Sequence, residues 1–480
     1  MKRLRWYDYI TINLFWLGLN IRNTAVGSVF TPYLLALFVP EGNRGTALGI
    51  ISTAGLIIAM LVQPAAGLLS DRSTSRFGRR RPFIFFGVLF DVLFLIAIGL
   101  SGNFLMLLVA TLVLQFSANV PHGPLQGLIA DLVLEDQRGR ASAVKAVMEL
   151  LPIVLVGFTI AQLVGKGKLM WAIAATAVAV VITMLLTLVF VKEKPLTEKP
   201  AISLKVPMLR VLGMLAGIGL GAVAGLIGGG AVGGLAGLIA WPFVGKPTAL
   251  AVMVGLGGLV AMVVAVVAGV WSGAYATLGQ DARRNSTFTW WVVNRLLFLA
   301  AATSFQGFLP FFLMFAFKIN AEQAASMNGT LMTVIGLAII LFAFAGGWIT
   351  DLVGKRRTVA IGGVVAAVGG VLVLGTIWVP SIAVIYVAGM FIGLGTGLFM
   401  TANWALGTDL VPAEEAGRYL GISNLAGAGA GMIGKGIGGP VIDYLNVYHP
   451  GLGYFAIFAS YAVLFALSAV SLRWVRKAER

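Results

Sequence analysis

The sequence predicts an all-α polytopic membrane protein, and three observations carry that expectation. Apolar runs recur along the 480 residues at lengths of roughly 20 or more, enough to cross a bilayer as helices, and none alternates as a barrel strand does. Only 11% of residues are charged against 59% hydrophobic, too little polar surface to coat a water-soluble globule. Basic residues gather in the short connections between runs, most densely at Arg72, Arg76, Arg79, Arg80 and Arg81.

In order, the first half (1–191) places spans at about residues 9–38, 46–70, 82–101, 104–133, 141–164 and 169–191. A Lys- and Pro-containing stretch, 192–210, has the composition of a cytoplasmic linker. Two glycine-rich apolar segments, 211–240 and 249–270, then form a predicted transmembrane hairpin within 211–271. A polar loop, 272–289, leads to spans at about 290–316, 324–350, 358–378, 381–410, 419–443 and 452–472, the second half (290–480). The count is six, two and six, about 14 transmembrane helices. Spacings such as Gly217, Gly221, Gly225 and Gly229, Gly233, Gly237 suit close helix packing, either within the protein or across a homodimer.

Charge supports this topology. The predicted cytoplasmic segments hold 25 of the 34 basic residues, external loops five (Arg44, Lys166, Lys168, Lys246, Lys318) and the membrane four (Arg22, Lys145, Arg295, Lys435). Both termini are then cytoplasmic, and the chain is expected in a plasma (inner) membrane. Omitting one arm of the hairpin would turn every later basic loop outward. A net charge of +16 would suggest nucleic acid for a soluble protein; here it sits in interhelical loops beside anionic headgroups, and no nucleic-acid partner is expected. The absence of cysteine excludes disulfides, thiol catalysis and thiolate metal sites. The N-terminus enters its apolar run without a small-residue cleavage site, so a retained first helix is expected.

The halves repeat. Gly67-Leu-Leu-Ser-Asp71-Arg72 opens a basic turn that ends in Arg79-Arg80-Arg81-Pro82, and Gly-Gly-Trp-Ile-Thr-Asp351-Leu-Val-Gly-Lys-Arg356-Arg echoes it in a shorter loop. One offset, 278, aligns Asp131-Leu-Val with Asp409-Leu-Val and Gly139-Arg140 with Gly417-Arg418.

Paired six-helix halves, each with a Gly-x-x-x-Asp basic turn after its second helix, resemble the major facilitator superfamily. The turn Ser70-Asp71-Arg72 through Ser75-Arg76-Phe77-Gly78-Arg79-Arg80-Arg81-Pro82-Phe83 is similar to that of plant-type sucrose:proton symporters and their bacterial relatives. So is the pattern Gly123-Pro124 with Ala130-Asp131-Leu132. The glycoside-pentoside-hexuronide cation symporters resemble it more distantly. The chain departs from the sucrose group at Gln126, where that group carries arginine, in lacking Thr-Asp-Trp within 290–316, and in exceeding twelve spans.

The resemblance implies a cytoplasmic gate at the basic turns, with Asp71, Arg72, Arg79, Arg80, Asp351 and Arg356 in helix-end contacts and ion pairs. Arg140 and Arg418 are expected partners there, just beyond Asp131 and Asp409. The alternative is that these groups only anchor helices at the interface.

In the fourth span Gln115, Asn119, His122 and Gln126 fall within an arc of about 60 degrees, a polar stripe that should not face lipid. It binds solute or serves as polar glue between helices. The first span carries Asn13, Trp16, Asn20 and Asn23 along one face, with Arg22 just round the cylinder as a cavity charge or a structural intramembrane pair.

In the fifth span Lys145 and Glu149 stand at i and i+4, a neutralised bridge or a proton-carrying pair. For Asp131 the resemblance implies coupling, whereas its internal repeat with Asp409 implies a gate. Asp91 in the third span is an intramembrane acid of unassigned partner and a third ion-coupling candidate. The second half offers Arg295, Gln306, Asn403, Trp404 and Lys435, the last amid closely spaced glycines.

His122 and His449 lack metal-site spacing and no Gly-x-x-x-x-Gly-Lys-Ser/Thr loop occurs, so no cofactor, metal or enzymatic activity is expected and energy should come from an ion gradient. The favoured function is symport of a sugar or related polyhydroxylated solute with a proton or other monovalent cation, by alternating access. Proton-coupled export of amphipathic compounds, or a non-transporting receptor or lipid-translocating scaffold on the same fold, are the alternatives.

Overall fold

The computed structural model describes residues 4–191, 193, 205–411 and 416–475, without side chains at 130, 416–418, 420, 421, 424–426 and 428. Most of the predicted linker, Arg418's side chain and the tail beyond 475 lie outside them. Among the described residues the regular structure is entirely helical, and eleven helical segments are long and apolar enough to cross a membrane.

The first span is α1 (Trp6–Ala25), a π turn (Val26–Phe30) and α2 (Thr31–Phe38). Pro32 has no N–H to give the carbonyl of Ser28, and the Asn328 amide donates to that oxygen instead, at 3.0 Å. There follow α3 (Arg44–Asp71), α4 (Arg81–Gly99) and α5 (Phe104–Leu132). Pro82 opens α4, where its missing N–H costs nothing, and Asn103 caps α5 by accepting the Met106 N–H at 2.9 Å. The fifth span is α6 (Arg138–Leu155), a second π turn (Val156–Ile160) and the short α7 (Ala161–Gly165), and α8 (Leu169–Phe190) is the sixth.

The hairpin is one 74-residue helical element, α9 (Lys205–Leu278), broken at Gly245 with φ 76° and ψ 164°. Only glycine takes that backbone easily, and the chain reverses there. After α10 (Asp281–Arg284) come α11 (Ser286–Phe317), α12 (Ala321–Val353), α13 (Lys355–Leu374), α14 (Ile382–Asp409), α15 (Ala416–Tyr448) and α16 (Leu452–Ser471).

Two compact units result. One comprises residues 1–34, 57–211 and 321–336; the other 35–56, 212–320 and 337–480. In the first, α1 lies against α6 and α8, and α4 against α5 and α8. Ile12, Phe15, Trp16 and Leu19 of α1 meet Ile84 and Val88, Leu125 and Leu128, and Val180 and Met184 in one buried cluster. Phe85, Phe86, Leu89, Phe90 and Leu93 of α4 stay exposed, the apolar surface that a bilayer covers.

In the second unit α11 is the central helix, buried along nearly its whole length against α14, α15 and α16. Phe298 stacks on Phe399 with centroids 3.7 Å apart, and Phe465 closes on Phe298 edge-on. The two arms of α9 pack on each other antiparallel: Gly217 meets Gly273, Gly221 meets Gly269, Gly225 meets Ala261 and Ala265, and Gly229 meets Gly257. Backbones this close gain contact that lipid cannot match. The small-residue stripe read from the sequence is thus occupied within the chain.

Candidate functional site

The polar side chains of the apolar spans fall into four groups, the first around α1. Arg22, 2% exposed, points into the bundle and pairs with Asp91 of α4, itself 3% exposed, with Nε to Oδ2 at 3.1 Å. Its Nη1 donates to Asn23 Oδ1 at 2.6 Å. Arg22 thus stands in an intramembrane pair, one of the two expectations for it, and Asp91 gains the partner that periodicity could not name. Two buried charges of opposite sign in low dielectric hold each other by a strong Coulombic term. Asn13 donates to the carbonyls of Tyr9 and of Ala141 on α6, so it joins helices. Asn20 donates to Trp16 O, and Asn23 is exposed.

The second group centres on Trp16. Lys145 Nζ sits 4.2 Å from its ring centroid, and Glu149 Oε1 lies 3.1 Å from the same ammonium. His122 meets the ring edge-on at 5.1 Å. The i, i+4 spacing of Lys145 and Glu149 therefore does make a pair, and both side chains stay part-exposed. The stripe on α5 divides. Asn119 is buried and donates to Gln115 O at 2.7 Å, His122 turns to Trp16, Gln115 is half-buried, and Gln126 is exposed.

The third group ties the basic turns. Gly78, at φ +105°, lets the first turn reverse, and Gly354, at φ +92°, does the same for its echo. Arg80, 5% exposed, donates from Nε to Asp131 Oδ2 at 2.5 Å and from Nη2 to Asp71 Oδ1 at 2.9 Å, so it links the end of α3 to the end of α5. The guanidinium lies directly on Gly127, where any side chain would displace it. Arg79 also pairs with Asp131, and Glu193 accepts the Arg80 backbone N–H at 2.9 Å. Arg140, expected as a partner at the first basic turn, is exposed and pairs with neither Asp71 nor Asp131; the turn's own Arg79 and Arg80 do. In the second unit Lys355 Nζ donates to Asp409 Oδ2 at 2.6 Å, repeating the link from turn to fourth helix, while Asp351 and Arg356 are exposed. Arg72 is half-buried.

The fourth group lies on α11, α14 and α15. Asn294 donates to Ser468 O at 2.6 Å and accepts from Asn403 Nδ2 at 2.7 Å; both asparagines are fully buried. Arg295 donates to Asn403 Oδ1 at 3.3 Å and lies 5.2 Å from the ring of Trp404, which is 40% exposed. Gln306 and Lys435 are half-buried.

Three contacts had no forecast. Asp443 accepts the N–H of Gly45 at 3.0 Å and of Thr46 at 2.6 Å, capping α3 from α15. Tyr33 donates to Glu322 at 3.0 Å. Gln162 exchanges hydrogen bonds with Ser326. Asn294, beside the noted Arg295, is a polar residue in Trp-Trp-Val-Val-Asn-Arg-Leu-Leu and could have been flagged as intramembrane; Asp443, at a span boundary, carried no such mark.

The Major Facilitator Superfamily pattern matches residues 23–280 and 292–480. The chain is 30% identical over 210 residues to the sucrose transport protein SUC3 of Arabidopsis thaliana, across 36% of this chain and 34% of that one. It is 30% identical over 208 residues to the general alpha-glucoside permease of Schizosaccharomyces pombe, across 38% and 36%. The matched stretch thus spans about a third of the length of these curated relatives. Among solved structures, a D-xylose-proton symporter superposes with a TM-score of 0.67 at 14% identity, covering 99% of both chains. The nucleoside transporter NupG gives 0.63 at 13% identity, covering 96% of this chain and 99% of that one. At these identities the structural likeness is one of fold.

Proposed function

Since the chain belongs to the Major Facilitator Superfamily, a family of membrane transporters and not of enzymes, we propose that it carries a sugar or related polyhydroxylated solute together with a proton by alternating access. The Lys145–Glu149 pair on Trp16 carries this reading. A carboxylate that is part-exposed in an apolar span and neutralised by one lysine can take up a proton, release the ammonium and so change which state of the transporter is favoured. Asp91, sealed with Arg22, is less accessible to a proton. Asp131, held by Arg79 and Arg80, acts in the gate and not in coupling.

Solute contacts are assigned to groups left open: Asn23, Gln115 and Gln126 in one unit, Gln306, Trp404 and Lys435 in the other. An exposed indole suits the C–H face of a sugar ring, while amides suit its hydroxyls. The similarity to a sucrose transport protein and an alpha-glucoside permease supports a saccharide. The basic turns face the cytoplasm by charge bias, and the Arg80 and Lys355 links hold one access state.

Uptake of labelled disaccharides into proteoliposomes under an imposed pH gradient tests the proposal. Gradient-dependent accumulation supports it; absence of sugar uptake together with dye efflux would replace it by proton-coupled export of amphipathic compounds, the reading that the added α9 hairpin favours.

A further inference from the structure

Lys435 stands in the middle of α15, and its side chain runs across Gly307 of α11. A β-carbon at 307 would lie 2.6 Å from its Cε and 3.1 Å from its Nζ, so a side chain there would push the ammonium aside. Along the same helix the Lys435 carbonyl packs on Gly49 of α3, Gly436 meets the hydroxyl of Thr53 and Gly431 lies near that of Thr303, whose proton is already given to Leu299 O at 2.8 Å. Among the described residues no carbonyl or side chain accepts a hydrogen bond from Nζ, and no carboxylate lies within ion-pair reach of it.

The contrast with the intramembrane bases of the first unit is chemical. Arg22 has Asp91 and Lys145 has Glu149. Among the described residues from Ser286 to Ile442 the acids stand only near helix ends: Glu322 in the first turn of α12, and Asp351 and Asp409 in the last turns of α12 and α14. Asp443, two turns along α15, has its oxygens on the N–H groups of Gly45 and Thr46. An ammonium in an apolar span is costly unless something neutralises it, and here no described residue supplies a counterion.

We propose that the counterion arrives with the solute: the transported sugar bears a carboxylate or phosphate, and Lys435 is the residue that binds it. The proposal rests on the solute-transport reading and narrows it to anionic saccharides. The ammonium offers three donors to such an anion.

The test is uptake and competition in proteoliposomes with methyl glucuronide, methyl glucoside and glucose 6-phosphate, for wild type, Lys435→Gln and Lys435→Arg. Wild type should prefer the glucuronide or the phosphate over the glucoside on the order of tenfold, the gap a single charge-assisted contact gives. Lys435→Gln should erase that preference and Lys435→Arg keep it. Which anion wins tells carboxylate from phosphate. Equal handling of neutral and anionic sugars by wild type, or a preference that survives Lys435→Gln, overturns the proposal while leaving sugar transport standing. If no sugar of either kind is taken up, both fall.

Discussion

Arg22 Nε and Asp91 Oδ2 lie 3.1 Å apart across α1 and α4, with both side chains nearly sealed from solvent. Removing one partner strands the other charge in the bundle, so Asp91→Asn should cost roughly 3–5 kcal/mol and lower the melting temperature in detergent. The apolar double variant Arg22→Met with Asp91→Leu should recover most of it. An Asp91→Asn protein that melts like wild type but no longer accumulates solute would make the pair a coupling site instead.

Arg80 joins Asp71 and Asp131 beside a fully buried Ser70. Because the chain has no cysteine, a single Ser70→Cys reports on that end of the bundle. Its maleimide labelling should rise at least tenfold when Arg80→Ala is added, the factor expected from losing a charge-assisted contact of about 1.5–3 kcal/mol. Arg140→Ala should leave the labelling unchanged, since Arg140 makes no pair with Asp131.

Glu149→Gln keeps the shape of the side chain and removes its proton chemistry. Gradient-driven accumulation should fall to simple equilibration while solute exchange across the liposome membrane continues. Undiminished accumulation would take Glu149 out of the mechanism and return attention to Asp91.

The Asp443 cap on α3 is charge-assisted, with N···O distances of 3.0 Å to Gly45 and 2.6 Å to Thr46. Asp443→Asn should weaken it by about 1.5–3 kcal/mol, and hydrogen exchange of the Gly45 and Thr46 amides should accelerate on the order of tenfold or more. Exchange unchanged in the variant would mean that the packing of Gly45 on Gly439 alone holds these helices.

Within α9 two neighbouring glycines should behave oppositely. Gly229 packs on Gly257, so Gly229→Leu should cost about 1–3 kcal/mol by forcing the arms apart. Gly230 has open space beside it, and Gly230→Leu should leave the melting temperature where it is. Equal losses would show that the arms do not pack along this seam.

Much of the architecture was legible because its causes are local. Helical spans follow from apolar run length, the reversal in the hairpin from glycine and proline between two such runs, and the Lys145–Glu149 pair from i, i+4 spacing on one helix. The repeat of Asp131 by Asp409 gave the two aspartates the same setting, and each pairs with its half's basic turn, through Arg80 and Lys355.

Partners on different helices were another matter. Periodicity places Arg22 on a face of α1 and Asp91 on a face of α4, but says nothing of which faces meet; that depends on how the helices pack. The same limit gave Asp71 its partner in Arg80, where Arg140 was expected, and turned the glycine stripe of α9 onto its own return arm. The sequence determined that this chain crosses a membrane as paired helical halves with charges buried among the helices, because hydropathy and backbone hydrogen bonding act within a segment. Only the tertiary structure decided which charges neutralise each other and that Lys435 meets no acid among the described residues, because a counterion is chosen by distance in space and not along the chain.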